Sequence, residues 1–265
     1  MDSRMFENPW LAPVSPDVVW FDGADAKRFL NDLISQEIGD MDVGEARRSF
    51  LLGPQGKLDF ILWVIFDGQR YGLVTDPGRG EDLAATLGRY RIRVDVSIDV
   101  EPSQISVVMG PWEGYDISWP GVSRTLVIGR PPDIPVGTVG DYERQRIAAG
   151  EPAWEIDVSE STIPHESGLV PASVDFTKGC FLGQELVARI DSRGGNVPRR
   201  LAIVEGEETI AVGPLKSGDE EAGMVTSSSG TIGLAMVKRG VEDGAMLQTG
   251  GVSVTVRGLP AKTPG

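Results

Sequence analysis

The apolar positions change their period along the chain, and those changes mark out its elements. Over Asp25 to Ile38, Ala26, Phe29, Leu30, Leu33 and Ile34 recur at helical spacing, which predicts an amphipathic helix with Asp22 or Asp25 placed to cap its start. Ser49 to Leu52 and Leu58 to Phe66 are strand-like apolar runs on either side of Gly53-Pro54-Gln55-Gly56. Proline presets the first turn torsion and glycine relieves the exit, so the pair reads as a β-hairpin. Further on, Tyr71 to Thr75 predicts a strand and Gly80 to Tyr90 a helix with Leu83, Ala84 and Leu87 inward. Val94 to Val100 predicts another strand, in which Val94, Val96, Ile98 and Val100 alternate with polar residues. Hairpins pair antiparallel, so this order predicts an α+β layer in place of a doubly wound parallel sheet.

A second unit begins near Ile105, with strands expected at Ile105 to Met109 and Thr125 to Ile128 and a helix from Asp141 to Ala149, stopped by Gly150 and Pro152. From Leu201 the pattern becomes short β-rich runs, including Leu201 to Val204, Thr231 to Val237 and Val252 to Val256, broken by Gly, Ser and Asp. A small β-barrel is the economical reading. The expected division is therefore 1–104, 105–197 and 198–265.

Composition narrows the chemistry. With 265 residues, 40% hydrophobic and 24% charged, an ordinary globular fold is expected. The formal net charge of −14 disfavours a dedicated nucleic-acid binder, which gains affinity by neutralising phosphates, and it disfavours adsorption to anionic lipid. No apolar run approaches the roughly 20 residues needed to span a bilayer, and Met1 to Trp20 lacks the basic-then-apolar order of a secretory signal, so a cytoplasmic location is expected. One cysteine, Cys180, and one histidine, His165, exclude an intrachain disulfide, a CxxC pair and zinc sites built mainly from His and Cys; no metal site is expected.

The densest run is Val174 to Arg200. Gly183 begins a helix with Leu186, Val187 and Ile190 on its apolar side, while Glu185 and Arg189 stand at i and i+4 and can pair. Cys180 precedes that helix and lies two residues from Lys178; both influences favour the thiolate, which makes the two residues the candidate catalytic pair. A small buried hydrophobe is the other reading of Cys180. Arg189, Arg193, Arg199 and Arg200 surround Gly194-Gly195-Asn196, a cluster suited either to gripping ligand carboxylates or to a solvated loop. His165 and Glu166, in IPHESGL, offer a proton-transfer group or a hydrogen bond to a heterocycle, although such a pair often only ends a loop.

The run KGCFLGQELVAR, Lys178 to Arg189, resembles the KGC-aromatic-x-GQE-x-x-x-R signature of the YgfZ-type folate-binding proteins. The likeness extends through FLNDLISQEI, LLGPQGKLDFILWV, LGRYRIRVDVSI, RQRIAAGEPAWEIDV, IPHESGL and GTIGLAMVKRG. It implies the architecture of the glycine-cleavage T-protein, an aminomethyltransferase: two α+β units and a carboxy-terminal β-barrel around a folate-binding opening. It also implies tetrahydrofolate as cofactor, with Gln184, Glu185, Arg189 and Glu166 as binding residues, Glu185 orienting Arg189. The function implied is accessory: making or repairing iron–sulfur clusters in client proteins, enzymes that modify transfer RNA among them, alongside other assembly factors and without direct contact to nucleic acid. The resemblance departs in two places. Phe60 and Ile61 stand where the T-protein hairpin carries an aspartate pair, with Asp59 shifted by one residue to the opposite face, and Ala148 stands for the glutamate that holds the pterin. Aminomethyl transfer is therefore not expected. A folate-dependent transferase and a non-catalytic binding protein with a structural Cys180 remain the alternatives.

Overall fold

A computed structural model describes residues 8–101 and 105–260; the amino-terminal stretch examined for a secretory signal lies partly outside them. In chain order the elements begin with β1 (Trp10–Leu11), β2 (Asp17–Asp22), α1 (Ala26–Asn31), β3 (Ala46–Leu52), β4 (Leu58–Phe66), β5 (Tyr71–Thr75), α2 (Gly80–Gly88), β6 (Ser97–Val100), β7 (Ile105–Met109), β8 (Tyr115–Asp116) and β9 (Arg124–Ile128). They continue with α3 (Val139–Ala148), a 3-10 turn (Pro164–Ser167), α4 (Val170–Ser173), α5 (Gln184–Asp191), β10 (Arg199–Gly206), β11 (Gly213–Ser217), β12 (Glu220–Ser229), β13 (Ile232–Lys238), β14 (Met246–Thr249) and β15 (Val252–Arg257). The chain divides into two compact units: Met1–Ser118 with Val122–Val139 and Ala172–Gln184, and Trp119–Gly121 with Gly140–Pro171 and Glu185–Gly265.

The first unit holds a five-stranded sheet in the order β3-β4-β5-β2-β6 and a four-stranded sheet in the order β1-β7-β9-β8. Neighbouring strands in both are antiparallel, as the hairpin pattern predicts. The hairpin between β3 and β4 turns through Gly53 to Gly56, where the Gly56 N–H donates to the Gly53 carbonyl at 2.8 Å and Gly56 adopts φ +74°. One face of the larger sheet, including Val19, Phe21, Phe60, Leu62, Val64 and Leu73, packs with Phe29 and Leu30 of α1 and Leu83 and Leu87 of α2.

Two expected elements are markedly shorter than the sequence pattern suggests, each for a tertiary reason, while α2 stops two residues early, at Gly88. The helix expected to Ile38 ends at Asn31, although Leu33 and Ile34 remain in the core; the Ser35 N–H goes to the Phe50 carbonyl of β3 at 2.9 Å. The strand expected from Val94 begins only at Ser97. Ahead of it, the Asp95 carbonyl accepts from Asp25 N–H at 3.1 Å and its own N–H donates to Asp25 Oδ2 at 2.9 Å. Asp25 thus spends its carboxylate on Asp95 and on the Arg28 side chain and does not cap α1; Asp22 bonds the neighbouring Gly23 N–H.

In the second unit, six antiparallel strands close into a barrel in the order β10-β13-β12-β11-β14-β15. The period of two is visible in β10: Ala202 and Val204 face the barrel interior with Leu215, Val225, Ala235, Val237 and Val254, while Leu201 and Ile203 pack outside with Ile147 of α3, Leu234 and Met236. Among the described residues no helix is long and apolar enough to cross a membrane.

Candidate functional site

Within the first unit, the segment from Ala172 to Gln184 is sewn onto the loop that follows α1. Ser35, fully buried, donates through Oγ to the Ser173 carbonyl at 2.6 Å and accepts from the Phe50 N–H at 2.8 Å. The Asp175 N–H donates to the Ser35 carbonyl at 3.0 Å, and Gln36 Nε2 reaches the Ala172 carbonyl at 3.4 Å. Asp175 then accepts from the N–H and Oγ1 of Thr177, at 2.7 and 2.6 Å, which shapes the turn leading to Lys178.

Lys178 turns inward. Its Nζ donates to the carbonyls of Asn31 at 2.7 Å, Ile34 at 2.9 Å and Gln36 at 2.9 Å, with Asn31 Oδ1 at 3.3 Å. The ammonium therefore satisfies carbonyls released where α1 stops early. Burial pushes its pKa down to about 8, against the attraction of Glu37, Asp175 and Asp32. This changes the role expected of it beside the thiol, because the hydrogen bonds of its charged head go to the α1 loop. Cys180 itself is an exposed free thiol, which removes the buried-hydrophobe reading.

The loop re-enters the core immediately after Cys180. Phe181 is buried, Leu182 packs against the main core, and the Phe181 N–H is accepted by Gln184 Oε1 at 3.3 Å, so Gln184 closes the start of α5. Gly183 adopts φ +74°, and a Cβ there would stand 2.7 Å from the Gly53 carbonyl oxygen and 2.8 Å from Leu52 Cβ. The loop and the hairpin turn thus meet backbone to backbone. On β4, Phe60 and Ile61 are both buried, and Arg79 lies 4.0 Å over the Phe60 ring while donating to the Asp59 carbonyl at 3.1 Å. The two hairpin positions singled out in the sequence carry packing, not charge.

The other candidates lie in the second unit or along α5. Glu166 is 3% exposed, its Oε1 accepting from Arg199 Nε at 3.0 Å and its Oε2 from the Ile163 N–H at 3.1 Å. It caps the 3-10 turn and ties it to β10, so the expectation of a ligand-facing acid gives way to an internal one. Arg200 is likewise engaged, by Asp243 at 2.6 Å and the Val241 carbonyl at 3.1 Å. Two of the four clustered arginines therefore serve the fold. Glu185 and Arg189 are exposed on α5, and the ion pair expected between them is not formed. Arg189 makes no side-chain hydrogen bond among the described residues and is free to meet a carboxylate. Within those residues no group of three or more His, Cys, Asp or Glu is arranged to hold a metal ion.

The His165 ring is buried with both nitrogens unpartnered, and Asp191 Oδ1 stands 3.9 Å from Nε2, beyond hydrogen-bonding distance. Burial lowers its pKa below the ordinary histidine range, with Asp191 opposing. The unfolded chain then binds this proton more readily than the folded one, so folded stability falls as pH drops through about 6.5. His165→Phe is expected to lose less stability between pH 7 and 5 than the wild type in urea titrations. Parallel curves would show that the imidazole does not contribute to the acid limb.

Residues 199–261 match the CAF17 C-terminal beta-barrel domain family. An uncharacterized protein of Haemophilus influenzae is 29% identical over 184 residues, covering 66% of this chain and 65% of that protein. The mitochondrial iron–sulfur cluster assembly factor IBA57 of Mus musculus is 32% identical over 113 residues, 39% of this chain and 31% of that protein; the IBA57 homolog of Cryptococcus neoformans is 34% identical over 103 residues, covering 36% and 27%. The matches thus span less than two thirds of these relatives' own lengths. The glycine cleavage system aminomethyltransferase T of Bartonella henselae superposes with a TM-score of 0.77 at 16% identity, over 95% of this chain and 86% of that one. The fold is that of aminomethyltransferase T, and together with the CAF17-type carboxy-terminal barrel and the similarity to IBA57 factors it supports a YgfZ/IBA57-type family.

Proposed function

We propose that this protein is a tetrahydrofolate-binding accessory factor in iron–sulfur cluster assembly or repair, acting in the cytoplasm on client proteins that include tRNA-modifying iron–sulfur enzymes. The observation that carries the reading is Cys180: an exposed thiol on a loop held by side-chain and backbone bonds on both of its flanks. The names of the IBA57 relatives support the cluster-assembly part and the aminomethyltransferase fold supports the folate part. The cluster is cargo here, and a single thiol supplies one of the four ligands a cluster commonly takes, so the remaining ligands come from a partner or a small thiol.

The folate reading rests on what the side chains leave free. Arg189 has an unengaged guanidinium suited to the glutamate carboxylates of a folate tail, and Gln184 keeps its amide NH2 for donation while its oxygen serves Phe181. Glu185 is an exposed acid beside them in sequence, and Glu166 is committed to Arg199 and Ile163. With Phe60, Ile61 and Ala148 in place of the enzyme's acids, little remains to stabilise a cationic methylene intermediate, which favours an accessory role over transfer. Calorimetric titration with reduced tetrahydrofolate under anaerobic conditions is expected to show saturable binding, weakened about tenfold or more by Arg189→Ala as a charge-assisted pair is lost. Cys180→Ala should bind folate like wild type yet fail to restore iron–sulfur enzyme activity in cells lacking the protein. Full restoration would remove the thiol from the function and leave a binding protein with a structural cysteine; turnover of an aminomethyl donor would favour the transferase.

A further inference from the structure

Four oxygens converge on the Lys178 ammonium, three of them main-chain carbonyls from the end of α1 and the loop after it, more than 140 residues away in sequence. We propose that Lys178 is a positioning residue, which seats the Cys180 loop on the end of α1 through this carbonyl cage and does not act as the thiol's counter-cation. The inference rests on the reading of Cys180 as the working thiol and extends it to how that thiol is held.

The geometry of the donors carries the argument. An ammonium is a compact donor whose three protons point in tetrahedral directions, and here they are met by the carbonyls of Asn31, Ile34 and Gln36, with the Asn31 side chain as a weaker fourth contact. Those carbonyls belong to the last residue of α1 and the stretch just after it, so without the ammonium they lose their donor partner in a part-buried setting. The same stretch is bonded to the segment before Lys178 through Ser35 and Asp175, and the side chain also passes the Phe181 ring, its Nζ 5.6 Å from the centroid. Lys178 is thus the middle fastening of a clasp whose outer ones are Ser35 with Ser173 and Gly183 with the hairpin turn. Cys180 lies between the second fastening and the third and stays exposed.

The test separates a cage from a charge. Lys178→Met removes both; Lys178→Arg keeps the charge, but its planar fork does not reproduce three divergent bonds. If Lys178 positions the loop, both variants raise amide hydrogen exchange at Asp175, Thr177 and Phe181 by about tenfold or more, and both lose support of iron–sulfur enzyme activity in cells. If Lys178→Arg retains wild-type protection and activity while Lys178→Met loses activity, the charge is what matters and the proposal is overturned. Unchanged exchange in Lys178→Met also overturns it. Should neither variant fold, Asn31→Ala, which removes the fourth contact together with that side chain's bonds to the Ile38 N–H and Glu37, must give a smaller rise at the same amides, and no rise there counts against the cage. Cys180→Ala run beside them tells the two failures apart: if it supports activity fully, the thiol reading falls, and the exchange data still decide the role of Lys178.

Discussion

Asp157→Ala is expected to cost about 3–5 kcal/mol, because it removes the fully buried carboxylate from a buried guanidinium and leaves it only the partly exposed Glu143 as counter-charge. The Arg146 side chain is 4% exposed and that of Asp157 is fully buried, and Asp157 Oδ2 accepts from Arg146 Nη1 at 2.8 Å and from the Ala153 N–H at 2.9 Å. Its other oxygen accepts from the hydroxyls of Thr226 and Ser227 on β12. Arg146 completes its set with Glu143, the Glu151 carbonyl at 3.0 Å and Ser227 Oγ at 2.8 Å. One carboxylate therefore joins α3, the loop before the 3-10 turn and the barrel wall. Equilibrium urea unfolding checks the value, and Arg146→Met combined with Asp157→Leu should recover much of the loss, because no unpaired charge is then buried. A single-variant cost under about 1 kcal/mol would place the pair among the weak surface bridges instead.

Gly183→Ala should be nearly as damaging, for a backbone reason. Its φ of +74° costs an L-residue about 1–2 kcal/mol, and the new Cβ would sit 2.7 Å from the Gly53 oxygen and 2.8 Å from Leu52 Cβ, adding overpacking of about 1–3 kcal/mol. The neighbours are main chain and a buried strand residue, so relief requires the loop to lift from the hairpin. The expected result is a lower urea midpoint together with faster alkylation of Cys180, as its loop detaches. A stability loss with no change at the thiol would show that the two flanks of Cys180 are held independently. Gly53→Ala provides the comparison, since a Cβ there meets nothing closer than 3.8 Å.

The reading of the chain succeeded where structure is local. The hairpin at Gly53 to Gly56 and the strands at Leu58 to Phe66, Tyr71 to Thr75 and Ile105 to Met109 follow from turn chemistry and runs of apolar residues, which neighbours in sequence suffice to specify. β2 escaped notice because it is a central strand, flanked by β5 and β6, with Val18 to Phe21 buried on both faces, so it shows no alternation. β11, β12 and β14 were hidden among glycine, serine and charged residues, since in a small barrel only the inward half of each strand must be apolar.

At the candidate site the same boundary holds. The apolar periodicity set the α+β class, and the residue types of KGCFLGQE, its lone thiol, and the absence of acids at Phe60, Ile61 and Ala148 are properties of the sequence itself that, through the family resemblance, implied which chemistry to look for. Tertiary structure decided what each group is free to do. It turned Lys178 to carbonyls of the α1 loop, gave both oxygens of Glu166 to Arg199 and Ile163, kept Glu185 and Arg189 apart, and left Cys180 exposed. The physical reason is that a polar side chain's role is set by whichever partner meets it on burial, and those partners come from 147 residues away for Lys178 and 33 for Glu166, distances over which sequence spacing carries no signal.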